Sequence, residues 1–172
     1  LKMEGVVPYS IIRGNHDRPE NMFNKYFSYE KFGKNVQGSY DGTMLNTYQE
    51  LIVGSIKYLV VNLDYGPSDE ALEWAGKVIE AHSDHRVIIT THTYLFRDGT
   101  TFDKDDAYAA SRSQGGVNDG DAMWDKLISK YENIILVMSG HDPWDHIVCT
   151  RTKGDNGNVV TQLLIDPQSM DA

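Results

Sequence analysis

The hydrophobic positions of this chain change period several times along its length. Residues 6–12 form a short apolar run, and residues 19–33 then carry apolar side chains at roughly helical spacing. Across residues 39–63 the pattern becomes that of strands, with a turn at Gly54-Ser55. The pattern predicts a buried strand, then a helix, then a set of antiparallel hairpins.

The rest of the chain alternates between helical and strand periods. Helices are predicted over residues 68–79 and 121–131, and strands over residues 86–91, 134–138, 145–151 and 159–165. No repeat or linker-like tract divides the chain, so we predict a single domain over residues 1–172. Helices alternating with strands and followed by hairpins indicate an α/β fold of mixed β-sheets flanked by helices.

Three histidines stand directly after predicted strands. His16 follows the run at residues 6–12, His92 follows residues 86–91, and His141 follows residues 134–138. Ligand-binding groups of open α/β sheets converge in the loops beyond the carboxyl ends of the strands. The alternative for each histidine alone is an ordinary hydrogen-bonded side chain, but their shared placement favours a common site.

The sharpest local feature is the run Gly14-Asn15-His16-Asp17. Gly14 permits a tight turn, Asn15 offers a neutral carbonyl oxygen, and His16 offers an imidazole that titrates near neutral pH. Asp17 is able to orient that ring and stabilise its protonated form. We interpret the run as a metal ligand beside a general acid, the alternative being a loop that satisfies its own backbone.

These residues together resemble the motifs of the calcineurin-like metallophosphoesterase superfamily. The order Gly14-Asn15-His16-Asp17, Thr91-His92 and Ser139-Gly140-His141 matches that family, and the similarity extends over residues 6–165. The resemblance implies a four-layer sandwich of two mixed sheets flanked by helices. It also implies a hydrolase that cleaves phosphomonoesters or phosphodiesters with two divalent metal ions, drawn from Mn, Fe, Zn, Ni or Mg, by attack of a metal-bound hydroxide.

The resemblance also assigns roles to individual residues. Asn15, His92 and His141 would bind one of the two metals. His16 would protonate the leaving-group oxygen or stabilise the transition state, and Asp17 would support His16.

The chain departs from the family pattern in two places. The motifs Asp-x-His and Gly-Asp-x-x-Asp, which would supply the first metal's Asp and His and the bridging carboxylate, are absent, and residues 1–13 contain neither Asp nor His. The usual Gly-His-x-His reads Gly140-His141-Asp142-Pro143, and proline offers no ligand. Asp142 or Asp145 either compensates or plays no part in ligation.

We therefore expect an N-terminally truncated chain that lacks the first strands and metal motifs of the domain. Three neutral ligands without a carboxylate do not balance the charge of a dication, so we expect weak metal binding and little or no phosphoesterase activity from this chain alone. The alternative is a non-catalytic binding or scaffold domain that keeps the fold without a full dinuclear centre.

Substrate contacts are expected from two further regions. The long polar segment 97–120 follows His92 and contains Arg97 and Arg112, which either bind a substrate phosphate or are ordinary solvated loop residues. Trp144 follows His141 and is expected to wall the pocket.

Charge and hydropathy limit the possible partners. The 172 residues include 16 Lys and Arg against 25 Asp and Glu, a formal net charge of −9, which argues against general nucleic-acid binding. No apolar stretch approaches the ~20 residues that cross a bilayer, so we expect a soluble domain with no membrane span. The family resemblance implies a small phosphoester as the substrate. A sheet lacking its first strands would expose an edge, and self-association is expected.

Overall fold

The computed structural model describes residues 7–17, 20–142 and 147–167. Its named strands form one seven-stranded mixed sheet in the order β1-β2-β3-β4-β5-β7-β6. The strands are β1 (Gly38–Ser39), β2 (Thr47–Val53), β3 (Ile56–Asn62), β4 (Arg86–Thr90), β5 (Ile134–Ser139), β6 (Val148–Lys153) and β7 (Val159–Leu164).

Helices precede the first strand and occupy the connections from β3 to β4 and from β4 to β5. They are α1 (Glu20–Tyr26), α2 (Tyr29–Phe32), α3 (Asp69–Ala81), α4 (Ala110–Ser113) and α5 (Gly120–Lys126), with 3-10 turns at Gly33–Asn35 and Ile128–Lys130. The longest, α3, begins after Ser68, whose Oγ accepts a hydrogen bond from the Ala71 amide at 3.3 Å. In the described part of the chain, no helix has both the length and the apolar content needed to cross a membrane.

The four central strands run in the same direction. β3, β4, β5 and β7 pair in parallel, whereas β1, β2 and β6 are antiparallel to their neighbours. The backbone pairing continues just beyond the strands, where the Thr91 amide donates to Met138 O at 3.1 Å and the Ile165 amide to Ser139 O at 2.9 Å. The loops after these four strands therefore leave the sheet at one edge.

Two hydrophobic clusters support this arrangement. The larger joins the sheet to α3 and α5 and is built on buried residues that include Leu59, Val61, Ile79, Ile89 and Val137. The smaller consists of Phe23, Phe32 and Met44, with Tyr9 and Ile11 packed against it. The second cluster thus ties the first described segment to α1 and α2.

The predicted α/β fold with a mixed sheet is confirmed. Within the ranges that the structure describes, all named strands belong to one sheet, and a second sheet of the sandwich is not among them. The predicted strands of the β2–β3 hairpin, β4, β5 and the β6–β7 hairpin are present, although β1 is only two residues long.

Four local predictions are wrong. Residues 40–46 form turns and bends in place of part of the predicted strands, and the helix predicted over residues 121–131 ends at Lys126. Residues 7–12 are not a strand: they have no strand assignment, and Tyr9 and Ile11 pack on the smaller cluster instead. An apolar run becomes a strand only where a neighbouring strand offers ladder hydrogen bonds. The helix predicted over residues 19–33 is interrupted at Ser28, whose backbone is extended at φ −69° and ψ 148°.

An ion pair attaches the first segment to the sheet. Arg13 is 1% exposed, and its Nε and Nη2 donate to the two carboxylate oxygens of Asp64 at 2.7 and 2.8 Å. Asp64 follows β3, its amide donates to Asn46 Oδ1 at 3.0 Å, and its carbonyl accepts from Thr91 Oγ1 at 3.1 Å. Arg13 therefore places the next residues, Gly14 onward, at the carboxyl edge of the sheet.

Replacing Arg13 with Met tests this attachment. The change leaves the Asp64 carboxylate buried beside an apolar chain, and the free energy of unfolding is expected to fall by about 3–5 kcal/mol in urea denaturation. Lys57→Met is the matched control, because the Lys57–Asp84 pair is exposed and exposed pairs contribute little to stability. Equal effects of the two substitutions would contradict the structural role of Arg13.

Candidate functional site

Three of the side chains predicted as metal ligands converge at the carboxyl edge of the sheet. Asn15 Oδ1 lies 2.9 Å from His92 Nε2, and His141 Nδ1 lies 3.3 Å from the same nitrogen. The two imidazole rings meet edge to face, with centroids 5.0 Å apart. The turn after Arg13, the loop after β4 and the loop after β5 thus bring their donors to one point.

The contacts of the two rings determine which nitrogen carries the proton. His141 Nε2 donates to the carbonyl oxygen of Tyr108 at 2.8 Å, so the neutral ring directs the lone pair of Nδ1 toward His92. His92 Nε2 in turn donates to Asn15 Oδ1. A cation bound at His92 Nε2 would require this proton to leave or move to Nδ1, whereas His141 Nδ1 is already available.

The spacing of these atoms fits a coordination shell. Neighbouring ligands of one ion lie about 3.0–3.4 Å apart when each bond is about 2.1 Å long. The separation of 3.3 Å lies within that range, and the separation of 2.9 Å lies just below it. Over the ranges described, no group of three or more His, Cys, Asp or Glu side chains is placed to hold a metal. The donor set thus fits a cation in its spacing but consists of one amide and two imidazoles.

Burial keeps both imidazoles neutral. It lowers the pKa of His92 to about 4, with a further lowering by the neighbouring His141 charge. Burial also lowers the pKa of His141, against which its bond to the Tyr108 carbonyl acts in the opposite direction. Metal binding requires the neutral ring, so at neutral pH both side chains have the charge state that coordination needs, while His92 must still change tautomer to offer Nε2.

A closed turn presents Asn15 and His16. The Gly14 amide donates to Asp17 Oδ2 at 2.9 Å, and the Asp17 amide donates to Gly14 O at 3.2 Å. A Cβ on Gly14 would stand 3.1 Å from Cε1 of the His92 ring, so the missing side chain lets the turn approach His92 closely. These two hydrogen bonds of Asp17 close the turn, and the predicted support of His16 by Asp17 stays a prediction.

His16 is exposed at the rim of the site. It lines a pocket of about 360 Å³ together with both donor histidines, and repulsion from its ring, when that ring is protonated, lowers the pKa of each of them. The pocket is lined by Asn15, His16, His92, Arg97, Tyr108, His141 and Asp166. The predicted acid therefore faces the same space as the three donors.

The predicted substrate contacts lie in different surroundings. Arg97 borders the pocket, but its guanidinium binds Asp142 through Nε at 2.9 Å and through Nη2. Arg112 is exposed and lines an adjoining pocket of about 400 Å³ that shares Asn15 and His141 with the first. Trp144 and Asp145 lie outside the described residues.

Two residues of the site were not predicted. The ring of Tyr65, which is 2% exposed, packs 5.8 Å from the His92 ring and 5.5 Å from the His141 ring. Asp166 lines the pocket and raises the pKa of both histidines. Tyr65 follows β3 and Asp166 follows β7, which are both parallel strands. Ligand-binding groups lie beyond the carboxyl ends of such strands, so looking after all four of them would have identified both residues.

Residues 1–145 match the family model described as calcineurin-like phosphoesterase. The chain belongs to the calcineurin-like phosphoesterase family. The similarity found in the three motifs is thereby confirmed. The description of this family names phosphoesterases, which are enzymes that act on phosphate esters.

A curated relative of this calcineurin-like phosphoesterase comes from Bacillus subtilis (strain 168) and is described as uncharacterized protein YvnB. The two are 26% identical over 143 residues, which is 78% of this chain and 10% of the relative. The chain thus spans about a tenth of the length of the curated relative that it matches.

The lowered pKa of His92 predicts a loss of stability in acid. In the unfolded chain His92 takes up a proton near pH 6.5, whereas the folded chain resists it down to about pH 4. The unfolded state therefore binds more protons between these values, and the free energy of unfolding is expected to fall as the pH drops from about 6.5 to 4. Urea denaturation in EDTA should show a shallower pH slope in His92→Gln than in the wild type. An unchanged slope would contradict the burial of a neutral His92.

Proposed function

We propose that the protein hydrolyses phosphate esters with a divalent cation held by Asn15, His92 and His141. The observation that carries the proposal is the convergence of one amide oxygen and two neutral imidazole nitrogens within 2.9 and 3.3 Å. A bound cation supplies positive charge for the phosphoryl oxygens and lowers the pKa of a water that attacks phosphorus. The general acid and the contact to the substrate phosphate would come from side chains of this chain.

His16 is the proposed general acid. Its exposed ring stands on the same closed turn as Asn15 and borders the same pocket, so a phosphate group near the three donors lies beside the imidazole. In its protonated form, His16 would give its proton to the oxygen that leaves phosphorus. Asp17 would hold the turn, through Gly14, and place a negative charge near that proton.

Arg112 is the proposed contact for the substrate phosphate. It lies on α4, borders the pocket that adjoins the donors, and donates Nη1 to the carbonyl oxygen of Asp105 at 3.0 Å. That bond aligns the guanidinium, whose fork of donors suits a phosphate. Trp144 remains the predicted wall of the pocket. For Arg97, the contact with substrate stays a prediction.

A non-catalytic role remains the second candidate, and one observation favours it. The three donors are neutral, and the described residues offer no cluster of three acidic, His or Cys ligands. Such a set does not balance a dication or bridge two of them. A domain of this kind would recognise a phosphorylated ligand through Arg112 without cleaving it.

The role of His16 is tested by changing the leaving group. His16→Gln in the full-length protein should reduce kcat/KM for a phenyl or alkyl phosphodiester at least ~100-fold, because a poor leaving group needs a proton. The nitrophenyl analogue, whose leaving group departs as a stable anion, should lose much less. Arg86→Gln is the matched control, since Arg86 is exposed and begins β4 at the opposite edge of the sheet. Equal losses for both leaving groups would remove His16 as the acid.

Metal binding by the 172-residue chain tests the assigned donors. We expect weak, substoichiometric Co²⁺ or Mn²⁺ binding in equilibrium dialysis, because the donors carry no negative charge, and its disappearance in His141→Ala. His82→Ala, at the end of α3, is the control that should leave the metal content unchanged. Stoichiometric metal with turnover of a nitrophenyl phosphodiester would contradict weak binding, and metal retention in His141→Ala would contradict the assigned donors.

A further inference from the structure

Asp142, which the sequence offers as a substitute metal ligand, is engaged elsewhere. Its side chain is 0% exposed, and it accepts hydrogen bonds from the amide of Arg97 at 2.9 Å, from Arg97 Nε at 2.9 Å and from Arg97 Nη2. We propose that Arg97 is a positioning residue that, through Asp142, holds His141 in the orientation in which Nδ1 faces His92 and Asn15. This inference rests on the proposed metal-dependent function and concerns how the loops place the donor atoms.

The first step of the argument is backbone strain at His141. Its φ is +74°, a left-handed conformation that is costly for a residue with a side chain. The flanking bonds run from the Gly140 amide to His92 O and from the Asp142 amide to Gly140 O, both at 3.0 Å. A strained residue keeps such a conformation only where its surroundings hold it on both sides, so something must hold Asp142.

Arg97 supplies that hold. The Asp142 carboxylate is removed from water, and burying a charge without partners costs several kcal/mol, so it stays where its three donors are. The guanidinium binds both carboxylate oxygens, which fixes the direction of the side chain as well as its position. The hydrogen bonds to Asp142 also raise the pKa of Arg97, which keeps the guanidinium charged.

Arg97 itself stands on a rigid element. It lies in a short turn in which Leu95 bridges Thr101, the Phe96 amide donates to Thr100 O at 2.8 Å, and the Gly99 amide donates to Phe96 O at 2.9 Å. This turn begins just after His92 and Tyr94, the latter fully buried. The loop after β4 therefore binds the loop after β5 close to His92 and His141, which lie in these two loops.

The ring of His141 is then held from its other sides. Its Nε2 binds Tyr108 O, and the rings of Tyr65 and Phe102 lie 5.5 and 5.6 Å away. These contacts constrain the ring only if the backbone presents it at the observed place. Loss of the Arg97–Asp142 ion pair is expected to let residue 141 relax to an ordinary backbone conformation. Its Nδ1 would then move away from His92.

The test measures the ring of His141 before any metal is added. In the full-length wild-type protein without metal, the ¹⁵N chemical shifts of His141 should show that Nε2 is protonated and that Nδ1 is not. Arg97→Met and Asp142→Asn should both move the shifts toward mixed tautomers. Co²⁺ affinity, measured by titration, should fall by about 10–100-fold in both variants, as for other residues that orient metal ligands. Arg97→Lys should recover only part of either loss, because an ammonium does not bind both oxygens in a fork.

The controls separate this proposal from a loss of folding and from the function itself. Arg86→Met, remote and exposed, should change neither measurement. If Arg97→Met is unfolded, the role of Arg97 is decided by Asp142→Asn and by the double variant, which leave no unpaired buried charge. The proposal would be overturned if Asp142→Asn showed the wild-type ¹⁵N shifts of His141. It would also be overturned if Arg97→Lys raised KM without changing those shifts. A wild type that binds no Co²⁺ would refute the proposed function, while the metal-free shifts would still decide the role of Arg97.

Discussion

The buried ion pair between Arg13 and Asp64 is the contact on which the site depends. The segment before Gly14 makes no strand in its described part, so the ladder of the sheet does not position it. Two charge-assisted hydrogen bonds of 2.7 and 2.8 Å do so instead, at the end of β3. Because Asp64 is also bonded to Asn46 and Thr91, the pair joins the turn to strands on either side of it. Asn15 thereby reaches His92 from a segment outside the sheet.

Much of this arrangement follows from the sequence, and the parts that do not have physical reasons. His92 and His141 were predicted to meet because each follows a short β-branched strand, and parallel β4 and β5 confirm this. Residues 7–12 have the composition of a strand, yet strand formation depends on a partner that composition does not specify. Asp166 was overlooked because β7 reads as half of a hairpin, whereas it also pairs in parallel with β5 and ends at the site.

The electrostatics of the site differ from those of the whole chain. The formal net charge is −9, yet the three converging donors are neutral, and burial lowers the pKa of both imidazoles. Asp166 at the lining of the pocket and Asp17 in the turn both favour the protonated form of His92. Desolvation affects the pKa of His92 more than these two carboxylates do. The site therefore binds a cation in preference to a proton only if more than one donor coordinates the cation.

Asp142 shows why residue type alone does not identify a ligand. A carboxylate beside a histidine in a metal-binding motif is a reasonable candidate, and an exposed one would be attracted to a dication. Asp142 is instead fully buried, and a buried carboxylate is directed by its hydrogen-bond donors. Three donors from Arg97 already satisfy it, and turning toward the histidines would leave the Arg97 guanidinium without this partner. The negative charge next to His141 thus contributes geometry, and any charge that balances a bound cation must come from another group.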